Sequence, residues 1–361
     1  MVSALHTAAS VRKACGWLGV VAGIAAIFGG LLHPAQFFHV YLFAALAWLN
    51  PALGCLLLGF IHRMTGGGWG RTLAPFLEAG SRTVPWALVF SLPLFFGLTK
   101  LFPWAASELN EQARAALTAH PIYLSRPFFI ARGLGYALVF LWLVWASRRK
   151  PRSGWVGPVG MIVYVITVYL LSVDWVLSLE PGWFSTGFPV ILIASEALSA
   201  LALSVAAAIT FELSGPEHPT KEGWKDLGNL LLGTILFWAY LSYSQFLIIW
   251  SGNLPKQAIW YVHRNSGGWH ALLIAIVVLD VVAPVFFLLF SRAKTLSRLF
   301  AGLAAGVLGC QFLYIYWLIL PSFRHHGFAF RWLDIVLPLG IGGLWFFFYL
   351  GEISKQKRKN A

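Results

Sequence analysis

Charge is what this 361-residue chain has least of. Only 11% of its residues are Asp, Glu, Lys or Arg, against roughly 25% in soluble domains, which excludes a water-soluble globular fold for most of its length. Cysteine is nearly as scarce. Cys15, Cys55 and Cys310 stand in separate apolar stretches with no CxxC or CxxCH among them, so there is no disulfide framework, zinc site or covalent haem attachment to read. They read as small core residues. A buried b-type haem needs axial histidines on facing helices, but the ten histidines (His6, His33, His39, His62, His120, His218, His263, His270, His325 and His326) fall in loops or near the ends of apolar stretches. The glycine-rich GGGWG at 66–70 lacks the GK[ST] ending of a phosphate loop. The formal net charge of +13 is spread over short connections rather than clustered with aromatics on one domain, which excludes nucleic acid as a partner.

What the chain has instead is hydrophobic length: 59% hydrophobic residues and a mean hydropathy of +0.74. A helix needs roughly 20 apolar residues to cross a bilayer. Ten stretches qualify: Ala14–Leu32, Tyr41–Ile61, Trp86–Phe102, Phe128–Ala146, Val156–Leu177, Gly187–Phe211, Leu227–Trp250, Trp269–Phe290, Leu299–Leu320 and Leu333–Leu350. The expectation is an all-α polytopic membrane protein, one membrane domain over 1–352 with a basic cytoplasmic tail at 353–361. The first stretch is followed by His33 and Pro34 rather than a small-residue cleavage site, so it reads as a retained helix. Of the 26 Lys and Arg, 18 fall on the N-terminal side of the membrane, which places both termini in the cytoplasm. Trp69, Trp155, Trp183 and Trp260 read as interfacial anchors. The longest non-cytoplasmic loop, 103–127, carries Glu108, Glu111 and Arg114 at the spacing of a short amphipathic helix.

Two carboxylates fall deep inside spans, where a charge is costly and marks a function by default. Asp280 lies about 17 Å into its helix at 1.5 Å per residue, and Pro284 four residues on removes the donor its carbonyl would use. Glu196 sits between Ser195 and Ser199, small residues that permit close helix packing. With Asp174 and Glu180 toward the outside and Glu212 and Glu352 at the cytoplasmic edge, the acids form a broken series across the bilayer. Tyr164, Thr167 and Tyr169, then Tyr240, Ser242, Tyr243, Ser244 and Gln245, offer hydroxyls and an amide to bridge it. The same polar groups also serve interhelical hydrogen bonds. His39, Asp174 and His270, at extracytoplasmic span ends, are candidates for meeting a quinone carbonyl. Arg132 and Lys100 can snorkel to the interface.

Two strings are distinctive. DWVLSLEPGWFSTGFP (174–189) and FWAYLSYSQFLIIWSGNLP (237–255) resemble signature stretches of the second NrfD-like (polysulfide-reductase-like) membrane subunit of bacterial alternative complex III, and the ten-span plan extends the resemblance over the whole chain. Asp174, Trp175 and Glu180 match the first string; Gln245, Asn253 and Pro255 match the second. The resemblance implies two four-helix bundles, about 41–177 and 187–320, with peripheral helices at 14–32 and 333–350. It implies a place in the bacterial inner membrane within a quinol:electron-acceptor oxidoreductase, where menaquinol or ubiquinol is oxidised. The partners it implies are a sister NrfD-like subunit, an iron-sulfur subunit, multihaem and monohaem cytochrome c subunits, and a terminal oxidase as electron acceptor. In that family the sister subunit is the favoured quinol-oxidising site and this one is linked to proton conduction, with no covalent or metal-liganded cofactor of its own. Two other readings stand beside it. This subunit carries its own quinone pocket, or the chain is a stand-alone secondary ion or solute transporter, since intramembrane acids and Pro-broken helices suit that also.

Overall fold

The computed structural model describes residues 2–149, 154–211, 220–290, 294, 297–324 and 327–360. Ten helical stretches are long and apolar enough to cross a membrane: α1 (Ser10–Leu32), α2 (Pro34–Thr65), α3 (Gly68–Leu101), α4 (Arg126–Arg149), α5 (Val156–Leu179), α6 (Phe188–Thr210), α7 (Lys221–Gly252), α8 (Trp269–Leu289), α9 (Arg298–Ser322) and α10 (Leu333–Gln356). The chain is an all-α multi-pass membrane protein, with no strand among the described residues.

Burial separates the spans into centre and rim. The apolar windows of α2 and α6 are each 78% enclosed, against 22% for α1, α7 and α8. The two enclosed helices pack on each other; α6 also contacts α5, α7 and α9, and α2 also contacts α3, α5, α9 and α10. Their close approach depends on Gly54, where an added Cβ would lie 1.8 Å from the backbone oxygen of Glu196. Small residues let membrane helices pack backbone to backbone, so this glycine presses α2 onto the turn of α6 that carries Glu196. At the rim, α1 and α10 pair through a second small-residue contact. A Cβ on Gly343 would meet the Gly19 nitrogen at 2.6 Å, and one on Gly19 would meet the Leu344 nitrogen at the same distance.

Several boundaries differ from those expected. The third span starts at Gly68 rather than Trp86, as helix Gly68–Ser81, a turn, helix Val84–Ser91, the 3-10 segment Leu92–Gly97 and helix Leu98–Leu101. Arg82 and Glu78 made that first part look like a loop, but they lie in or just after the helix and pair there, and Arg82 reaches Glu352 of α10 at 3.2 Å. The helix containing α10 continues through the basic tail to Asn360. The loop helix is present as Glu111–Ala119, capped by Asn110 Oδ1 accepting from Ala113 N at 2.8 Å.

Candidate functional site

Halfway along α2, Asn50 precedes an in-helix proline, Pro51, and its side chain points into the α2–α6 contact. Asn50 Nδ2 donates to Ser195 Oγ at 3.0 Å and to Ser199 Oγ at 3.4 Å. Ser195 Oγ donates to Gln311 Oε1 at 2.6 Å, and Gln311 Nε2 donates to Asp280 Oδ2 at 2.5 Å. Four helices, α2, α6, α9 and α8, are thereby tied by one polar chain at mid-depth. Next to it the Tyr164 hydroxyl of α5 donates to Glu196 Oε2. Asn50, Ser195, Glu196, Asp280 and Gln311 are each at most 4% exposed. Asp280 sits in a π-helical turn, Val277–Val282, with Pro284 at the start of the next helix. Turns of this kind are often found at functional sites.

On the side of Glu196 nearer the chain termini the polar groups continue. Cys55 lies beside Tyr164 and faces Ser204. A Cβ at Gly80 would fall 2.4 Å from Cys55 Sγ and 3.8 Å from the Tyr349 ring, so Cys55 and Tyr349 share one pocket of space. Tyr349 Oη and Gln356 Nε2 are buried without a protein partner. In the small cavity beside Glu196 the lining is apolar except for Asn50: Leu46, Leu171, Val176, Leu192 and Leu318.

Asp174 and Glu180 do not join this chain. Arg132 of α4 grips Asp174 with Nε at 2.9 Å and Nη2 at 3.0 Å, and Tyr123 and Tyr136 each donate to it at 2.8 Å. Arg132 is thus an ion-pair partner and not a snorkelling side chain. Burial, and then the Asp174 charge, push the Tyr123 phenol up to about 12. Glu180 takes Arg264 Nη1 at 2.6 Å and the Ser322 hydroxyl at 2.8 Å, with His263 at 3.4 Å. Burial works against its charge, but Arg264 and Ser322 outweigh burial and hold its carboxyl below the usual range. Both acids are clamps between elements at the end of the bundle away from the chain termini. A third clamp, absent from the expectations, joins Arg324 to Asp334 at 2.6 and 2.8 Å.

The three quinone candidates are not one site. His39 Nε2 meets the Lys100 carbonyl at 3.0 Å and its ring stacks on Phe323 at 3.9 Å; Asp174 is held by Arg132; His270 is exposed at the start of α8. Tyr240 faces outward, 66% exposed. Glu212 lies outside the described residues. Tyr243 and Gln245 belong to something else, a cavity of about 330 Å³ between α6, α7, α8, α9 and the loop helix Pro255–Arg264. Trp238, Trp260, Tyr261, Tyr314 and Trp317 line it, and Trp238 Nε1, Trp317 Nε1 and Ser242 Oγ are buried without partners. Tyr243 and Val277 on its wall are exposed, so it opens laterally toward lipid. Asn253 and Pro255, which close the second distinctive string, serve the backbone. Asn253 ends α7 in the left-handed conformation at φ 46°, and Pro255 opens the loop helix, the residue types that suit those positions.

Sequence reading passed over Asn50 and Gln311. The signal is present, since each is a lone amide near the centre of an apolar run, but an uncharged amide marks itself in hydrocarbon less strongly than an acid does. Among the described residues no group of three or more His, Cys, Asp or Glu side chains is gathered to hold a metal. No protein-family model matches the chain, and no curated protein matches it.

Proposed function

We propose that the chain is a proton-handling subunit of a respiratory quinol:electron-acceptor oxidoreductase of the alternative complex III type, in a bacterial inner membrane. Quinol oxidation then takes place in a sister NrfD-like subunit, with iron-sulfur and cytochrome c subunits carrying electrons onward to soluble cytochrome or a terminal oxidase. The observation that carries this reading is a mid-membrane acid, Glu196, bonded to a phenol and to no cation among the described residues. Hydroxyl, carboxyl and thiol groups pass protons along hydrogen bonds, and Tyr164, Cys55, Ser204 and Tyr349 extend from Glu196 toward the cytoplasm. The assembly itself rests on the two distinctive strings. With the native assembly in liposomes, Glu196→Gln is expected to lower proton translocation about a hundredfold, the scale of losing a positioned acid–base group, while quinol-driven electron transfer continues. Unchanged translocation in Glu196→Gln combined with Asp280→Asn overturns the reading.

One observation favours a second role. The aromatic cavity has the volume, apolar walls and few convergent polar groups of a small-molecule site, and its free N–H and O–H donors match a neutral ring bearing carbonyls. The quinone pocket expected at His39, Asp174 and His270 is better supported here. A photoreactive quinone analogue should label the α7 wall around Trp238–Phe246; labelling confined to other subunits removes this role.

A further inference from the structure

We propose that the space between Asn50 and Glu196 is a binding site for one ordered water molecule, which joins Glu196 to the polar chain ending at Asp280. The cavity there measures about 10 Å³, close to the smallest volume that holds one water. Two polar side chains line it, Asn50 and Glu196, among leucines, Val176 and Ile315. Asn50 has spent its amide nitrogen on Ser195 and Ser199, and its Oδ1 is buried without a partner. On Glu196, Tyr164 takes one carboxyl oxygen and no other side chain among the described residues takes the second. An unpaired buried acceptor is costly, and buried waters commonly satisfy such groups. A water here donates one hydrogen to Asn50 Oδ1 and the other to the second Glu196 oxygen, or accepts from that oxygen when the carboxyl carries a proton. A metal ion does not suit the site, because hard cations take six or more oxygens and this one presents two side chains.

With the water in place the chain runs Tyr164, Glu196, water, Asn50, Ser195, Gln311, Asp280, crossing five helices. Its two amide links do not hand protons on as hydroxyls do. The chain therefore transmits hydrogen-bond polarity, and a change at Glu196 is felt at Asp280. This deepens the proton-handling reading and takes its functional meaning from it, whereas the water's presence rests on the cavity and the two unpaired oxygens.

The test is a water-resolving cryo-electron microscopy map of the native assembly in nanodiscs, together with infrared difference spectra in ordinary and oxygen-18 water. The expected result is density between Asn50 and Glu196, with an oxygen-18-sensitive O–H band that is lost in Asn50→Leu and in Leu192→Phe. The Glu196 carbonyl band, identified by its loss in Glu196→Gln, should shift in both variants. Leu192→Phe fills the cavity without touching either polar group, so it decides the matter if Asn50→Leu fails to assemble. An empty cavity, or a band that survives both variants, overturns the water site. Density present while Glu196→Gln translocates protons normally sinks the proton-handling reading and leaves the water site standing.

Discussion

Asp174 and Asp334, at the end of the bundle away from the chain termini, are as deeply buried as Glu196 and Asp280 at mid-span, with Glu180 only partly so, yet the two groups are partnered in opposite ways. Asp174, Glu180 and Asp334 each hold an arginine, with tyrosine or serine hydroxyls beside it. Glu196 and Asp280 hold a tyrosine and a glutamine, and no cation among the described residues. A carboxylate beside a guanidinium has its charge compensated, while one bonded only to neutral groups has no counter-charge. Burial alone therefore does not identify a working acid; the partner does.

The contrast breaks most sharply when an arginine is removed. Arg324→Ala leaves Asp334 buried with its hydrogen bonds from Tyr316 and the Arg331 amide but without its counter-charge, and should cost about 3–5 kcal/mol, read as a large fall in the thermal midpoint of the purified protein in detergent. Asp174→Asn should follow with a loss of about 2–4 kcal/mol, since Arg132 then lacks its counter-charge and one of the two tyrosine hydroxyls meets an amide NH2 in place of its acceptor oxygen. Glu196→Gln retains an acceptor for Tyr164, and its stability should stay within about 1 kcal/mol of the wild type. A large destabilisation by Glu196→Gln would make this acid a clamp like the others. The smallest effect concerns pH. Because the Glu180 carboxyl is held below its ordinary value of 4.5, its clamp contributes fully above that value and is lost as pH falls through the depressed one. Native protein should then lose thermal stability below about pH 4 more steeply than Glu180→Gln does.

The ten helices were legible because hydrophobic length is a local property. The start of α3 was not, because Arg71, Glu78 and Arg82 interrupt the apolar pattern, and what shelters Arg82, Glu352 of α10, lies 270 residues away. The same limit shaped the site. Glu196 and Asp280 announce themselves as charges in hydrocarbon, and Tyr164 was recognised as a bridging candidate. Asp174 carries the same signature in the sequence, but Arg132, 42 residues upstream, lies on it. Nothing in the spacing of those two residues announces their pairing. The aromatic cavity was hidden for a related reason, since Trp238, Trp260 and Trp317 come from three elements, and each alone reads as an ordinary membrane aromatic.

The π-helical turn at Val277–Val282 has a consequence for how α8 tolerates length changes. A π turn holds one residue more than an α turn, so the halves of α8 on either side are out of phase by about 100° with respect to an unbroken α-helix. Deleting one residue inside the turn lets α8 wind as an ordinary α-helix while both ends keep their outward-facing pattern. Deleting one residue on either side of it slides a whole face of α8 around the axis. The turn is thus an indel buffer in the middle of a membrane helix, and Asp280 is the residue whose aim it sets.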